Sequence, residues 1–132
     1  MKSFEELEVW KKGRELRLFV FQIVQKFPVD EKFKLTSQIQ RSSRSITNNI
    51  AEGFGRFHFQ ENIQFCRQAR GSLTETLDLM IIAYDEKIIA KEELETFRVL
   101  YENNLKLLNG YISYLKRAKE QIEIEKDNEQ KR

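Results

Sequence analysis

The stretch SITNNIAEGFGR, residues 45–56, decides how the chain is read. Ile46 and Ile50 lie four apart, the spacing of one helical face, and Gly53 and Gly55 mark where that helix should stop. Ser45, Asn48, Asn49, Glu52 and Arg56 crowd the same segment. Such a set suits a catalytic site, a hydrogen-bonded clasp or a surface that grips an anion. A helix turns by about 100° per residue. On that geometry Gln38, Arg41, Ser45, Asn49, Glu52 and Arg56 fall within about 40° of one line. Leu35, Ile39, Ile46 and Ile50 form a second line about 110° away. The helix therefore carries an apolar stripe for a core and a polar stripe beside it. The polar stripe is poor in lysine, and its short Ser and Asn side chains favour close approach by another backbone.

Working outward, the same periodicity predicts four helices, over about residues 4–27, 31–52, 60–85 and 91–122. The first repeats apolar residues at Leu7, Trp10, Leu16, Val20, Ile23 and Phe27. Between residues 16 and 24 it is apolar nearly all round, so it wants burial on more than one side, a first hint of self-association. Pro28 stops it, and Asp30 is the expected N-cap of the second helix. The third places Ile63, Cys66, Ala69, Leu73, Leu77, Met80 and Tyr84 on its core face. The break DEKIIAKEE, with no Gly or Pro, leads to the fourth, whose stripe is Leu94, Phe97, Tyr101, Leu108, Tyr111, Leu115 and Ala118. The charged end, residues 121–132, is expected to fray. Long helices with short connections pack antiparallel, so residues 1–120 read as one all-α, up-down-up-down four-helix bundle.

Composition agrees. Of 132 residues, 40% are hydrophobic and 33% charged, and one proline with five glycines leaves little punctuation for an all-β fold. No apolar run reaches the ~18 residues that span a bilayer, and the N-terminus lacks a signal-peptide core, so the expected setting is cytoplasmic with no membrane contact. The single cysteine, Cys66, sits among Ile63, Phe65 and Ala69 and reads as a buried structural thiol. One histidine, His58, and one cysteine cannot make an ordinary zinc site, so no metal and no cofactor are expected. Net charge is +2, with a balance of +4 over residues 1–56 and −2 over residues 57–132.

Three readings of the polar stripe stay open. It is a solvated face, or a network between helices or subunits in which Arg41 or Arg56 meets Glu52 or Glu75, or a catalytic site. The third helix offers a facing line of Arg67, Gly71, Glu75 and Asp78. Gly71 in mid-helix costs about 1 kcal/mol relative to alanine, which close packing against it would explain. Acid–base catalysis wants a histidine or two perturbed carboxylates in a cleft, and nothing converges Glu52 and Glu75 on a pocket. The expectation is a non-enzymatic protein with no small-molecule substrate. Lys11, Lys12, Arg14 and Arg17 crowd one part of the first helix, and Lys32, Lys34, Arg41 and Arg44 do so in the second. These are candidate phosphate contacts or ordinary charged helix faces. In GFGRFHF the phenylalanines and His58 either stack on bases or close the end of the bundle.

The segments FEELEVWKKGREL, FPVDEKFKLTSQIQRSSRSITNNIAEGFGR and FCRQARGSLTET together resemble the 23S ribosomal RNA intervening-sequence protein family. They are also similar to the accessory variability determinant proteins of diversity-generating retroelements. The likeness runs over about residues 4–118 and is specific as an ordered set: L-x-V-W-K, F-P-x-x-E, Q-I-x-R-S, S-I-x-x-N-I-A-E-G-x-G-R and A-x-G-S-L-x-E. The matching positions are Trp10, Pro28, Glu31, Gln38, Arg41, Ser45, Asn49, Glu52, Gly53, Arg56, Gly71, Ser72 and Glu75. The resemblance implies a four-helix bundle assembling as a barrel-shaped homopentamer. It also implies a basic surface that associates with RNA or DNA, and no catalytic activity.

Overall fold

The computed structural model describes residues 2–132, and among them it contains helices and no strand. The helices are α1 (Glu8–Val24), α2 (Leu35–Phe54), α3 (Phe59–Asp85) and α4 (Lys91–Gln130), with 3-10 turns at Phe4–Glu6 and Val29–Glu31. Each helix packs on its two neighbours around a square, and the diagonal pairs do not meet. Cross-helix contacts fix the directions. Ser45 faces Ser72 while Ser42 faces Thr76, Asn62 faces Tyr111 while Gln60 faces Lys119, and Lys12 faces Asn104 while Lys26 faces Glu93. Neighbouring helices are thus antiparallel throughout, in an up-down-up-down bundle.

The predicted apolar stripes supply the core. Leu16 and Val20, Ile39, Ile46 and Ile50, Ile63, Leu73 and Met80, and Phe97, Leu108 and Leu115 are all fully buried. Each such side chain contributes about 1.5–3 kcal/mol relative to exposure. Tyr84, expected in the core, is exposed, because it lies in the last turn of α3 where the chain leaves the bundle.

Several boundaries differ from the sequence reading, each for a local reason. The first segment breaks at Leu7, whose extended backbone lets the preceding turn fold back and set the Phe4 ring edge-on to Trp10 at 5.2 Å. Asp30 lies within the turn after Pro28 and does not cap α2. The N-cap position falls on Lys34, which makes no side-chain cap bond, and the Glu31 carboxylate accepts from the Leu35 N–H at 3.3 Å, so α2 starts four residues later than expected. Gly55 has an ordinary φ of −76°, and α2 runs past Gly53 to Phe54. The α3–α4 turn, which lacks glycine, is made by Lys87 at φ 63°, with the Ile88 N–H reaching back to the Ala83 carbonyl at 2.8 Å. Those bonds close the end of α3 as a Schellman motif.

The charged end does not stop at residue 122 but continues α4 to Gln130. At 40 residues α4 is about 60 Å long, and it overruns the bundle beyond Lys119, which meets the first turn of α3 at Gln60. From Glu120 onward every side chain is exposed. One-turn pairs support this overhang: Lys119 with Glu123, Gln121 with Glu125 and Asp127 with Lys131. Each contributes about 0.2–0.5 kcal/mol to helicity.

Gly53 and Gly110 separate packing from propensity. A Cβ on Gly53 would lie 2.6 Å from Asn62 Oδ1 and 3.0 Å from Phe65 Cβ, whereas a Cβ on Gly110 would meet nothing within 4 Å. In urea denaturation, Gly53→Ala is expected to lower stability by about 1–3 kcal/mol. Gly110→Ala should raise it by up to about 1 kcal/mol.

Candidate functional site

The polar stripe of α2 divides in two. Its middle builds a hydroxyl seam with α3. Ser72 Oγ donates to Ser45 Oγ at 2.9 Å, and the Asn49 amide donates to both the carbonyl and the hydroxyl of Ser45 at 2.9 Å. One turn away, Thr76 Oγ1 lies 2.9 Å from Ser42 Oγ and 2.8 Å from the Ser72 carbonyl. Ser42 and Thr76 are buried, so these hydroxyls answer one another in place of water.

The ends of the stripe remain at the surface. Arg56, two residues past the end of α2, pairs with Glu52 of that helix at 2.8 Å and with Glu61 of α3 at 3.5 Å, and its guanidinium stands 4.9 Å over the Phe65 ring. All three charged groups are substantially exposed, so each ion pair contributes at most about 1 kcal/mol. Gln38, Arg41 and Glu75 are exposed and make no side-chain bond among the described residues. Gly71 is exposed too, and an added Cβ there would meet nothing within 4 Å, so no close packing among the described residues accounts for it. Glu52 and Glu75 do not share a hollow: Glu52 lines one with Arg56, and Glu75 lines none of those described below.

Of the six candidate phosphate contacts, Lys11 and Lys12 pair with Glu8 and Glu15 of their own helix. Arg17 and Arg44 come together across the α1–α2 groove, which Trp10, Phe4, Asn48 and Ala51 also line. Arg14 lies 5.9 Å over the Trp10 ring. Arg41 projects from α2 outside this groove. Arg14, Arg17, Arg41 and Arg44 form no ion pair among the described residues, and the buried Nε of Arg17 has no acceptor. Just along the groove, Leu18 and Phe21 join Arg17 and Arg44 while remaining 44% and 49% exposed. The groove was not visible in the sequence, because its two walls come from helices whose facing depends on the bundle.

At the α2–α3 corner a cavity of ≈ 460 Å³ is lined by Phe54, Phe57, Phe59 and His58 of the corner, and by Tyr111 and Tyr114 from α4. The two tyrosines were missed as site residues; their signal is the i, i+3 pair that the antiparallel α4 delivers to this end. The Asn62 amide donates to the Tyr111 hydroxyl at 3.4 Å, and the Tyr111 proton has no acceptor among the described residues. Burial, foremost, pushes the Tyr111 phenol above its ordinary pKa, so it stays protonated. Cys66 is fully buried beneath, 3.5 Å from Asn62 Oδ1, and burial pushes its thiol up to about 12.

A family model described as 23S rRNA-intervening sequence protein matches residues 5–110. Among solved structures, a protein of unknown function from the S23 ribosomal protein family of Bacteroides thetaiotaomicron VPI-5482 is 25% identical, with a TM-score of 0.72. The match covers 79% of this chain and 97% of that one. No curated protein matches the chain.

The Cys66 thiol gives a direct check on the corner. Native protein at pH 8 should not react with a thiol reagent such as DTNB until it is unfolded. The native pKa is raised from 9.0 to about 12, so the stability gained by keeping the thiol neutral is complete below pH 9 and is lost as pH rises towards 12. Rapid native labelling would show that Cys66 is not enclosed.

Proposed function

The chain belongs to the 23S rRNA-intervening sequence protein family, and from that premise we propose a non-enzymatic, self-associating bundle that binds RNA or DNA through the α1–α2 groove. The observation that carries this reading is the Arg17 guanidinium, half-buried beside Arg44 with no carboxylate and with an Nε–H that lacks an acceptor. A guanidinium is a fork of donors suited to phosphate oxygens. Trp10 and Phe4 line the same groove, so rings stand beside cations as they do in single-strand sites, with Arg14 over the Trp10 ring. Arg14 and Arg41 extend the positive surface, while Lys11 and Lys12 are already paired and add less.

Self-association is supported by the apolar surplus of α1, since Leu18 and Phe21 stay half in water in the single chain. Together with the family resemblance, this favours an oligomer, a pentamer in its fullest form. The same two side chains favour the second reading, a protein–protein scaffold in which a partner's carboxylates meet Arg17 and Arg44. No helix among the described residues is long and apolar enough to cross a membrane.

Gel shift over a salt series separates the two readings. The wild-type chain should bind single-stranded RNA or DNA, with log affinity falling linearly in log salt. The Arg17→Gln/Arg44→Gln double variant should flatten that slope by roughly 1.4, about 0.7 per lost phosphate contact. Absence of binding at low salt, or an unchanged slope, contradicts phosphate contact by this pair. Light scattering should give a multiple of the 15.8 kDa chain, five-fold for a pentamer; a monomeric mass contradicts assembly.

A further inference from the structure

The aromatic cavity at the α2–α3 corner and the arginine groove lie along the same helix, with lining residues shared from one hollow to the next. Arg17 and Arg44 line both the hollow beside Phe21 and the one beside Trp10. Phe4, Asn48 and Ala51 carry the latter into a third hollow, which ends at Arg56. Arg56 in turn lines the aromatic cavity. Along α2 this row of hollows runs from Gln40 to Phe54, about 21 Å of helix, with Arg56 just beyond its end. That length suits the low end of the ~4–16 nucleotides that single-strand sites accommodate.

The two ends of the track differ in chemistry. The Arg17–Arg44 end is cationic and unpaired. At the other end Arg56 is already held by Glu52 and Glu61, so the corner adds little net attraction for phosphate. What the corner offers is flat apolar surface and a hydrogen-bonding edge. Phe57 stands on its lip 93% exposed, with the His58 ring edge-on to it at 5.1 Å. Tyr111 and Tyr114 lie nearly parallel on the far wall, at 12° between planes. Deeper in, the Tyr111 hydroxyl accepts from Asn62 and keeps its own proton free for an acceptor. At ≈ 460 Å³ the cavity falls within the roughly 300–1,000 Å³ of small-molecule sites.

We propose that this cavity receives one unstacked nucleobase of a single-stranded nucleic acid whose phosphates run along the Arg17–Arg44 groove. The base stacks on the aromatic walls, and a carbonyl or ring nitrogen on its edge accepts from the Tyr111 hydroxyl. Duplex nucleic acid, whose bases are paired and stacked, does not fill it. The proposal rests on the nucleic-acid reading above and assigns that reading a second contact of a different kind.

The test measures binding of the full chain to a labelled 12-nucleotide single strand and to the matching duplex, for wild type, Phe57→Ala and Tyr111→Phe. Phe57 is almost wholly in solvent, so its replacement should leave thermal stability intact. The expected result is about ten-fold weaker single-strand binding for Phe57→Ala, with duplex binding and salt slope unchanged. Tyr111→Phe should weaken single-strand binding several-fold as well, without affecting the duplex. If both variants bind the single strand like wild type while Arg17→Gln/Arg44→Gln weakens it, the cavity proposal is overturned and the groove reading stands. Wild type that binds neither form overturns both. A lower oligomeric mass for Phe57→Ala overturns the proposal by making the corner a subunit contact.

Discussion

The close approach of α2 to α3 is the constraint on which the other features depend. Gly53 lets the helices meet at the Asn62 side chain, and above it Ser45 with Ser72 and Ser42 with Thr76 fill the gap with hydroxyls. Larger side chains would hold the axes apart, and unpaired hydroxyls would cost about 1–3 kcal/mol each. This seam is the most extensive helix contact in the bundle. The surface pair of Arg56 with Glu52 contributes too little to set the geometry, so packing around Gly53 positions the corner and the ions decorate it.

Once α2 is held at that distance and rotation, its other flank is determined. Arg44, Asn48 and Ala51 then face α1, whose Gly13 would place a Cβ only 3.1 Å from Thr47 Cγ2. On the far side, Asn104 of α4 is buried and donates to the Lys12 carbonyl at 3.1 Å, which ties α1 to α4. The groove that brings Arg17 to Arg44 is therefore a consequence of two tight seams rather than of attraction between its walls. Arg17 and Arg44 line that groove without a paired carboxylate among the described residues, which is the basis for proposing an anionic occupant.

Much of this was legible in the residues. Hydrophobic spacing gave the four helices and nearly every core position, because burial of a 3.6-residue stripe dominates their stability. The short side chains at Ser45 and Asn49 marked where another backbone comes close, but Ser72 as their partner needed the register of α3. Periodicity missed backbone details that leave no compositional trace: the extended break at Leu7, the late start of α2 on Glu31, and the left-handed Lys87 where glycine would be usual. It also undervalued the charged end of α4, where one-turn pairs rather than apolar residues carry the helix. The groove depends on how α1 and α2 face each other, and the corner's Phe54, Phe57, Phe59 and His58 were singled out without Tyr111 and Tyr114, which arrive from a helix far along the chain.

The most direct measurement is hydroxyl-radical footprinting of the full chain with and without a single-stranded oligonucleotide, reading oxidation at individual side chains. Protection should concentrate at Trp10 and Phe57 along the proposed track, while the exposed Val99 and Ile124 of α4 stay as reactive as in the free protein. Protection confined to α4, with Trp10 and Phe57 unchanged, would contradict the assignment of the α1–α2 groove and the corner cavity as the binding surface.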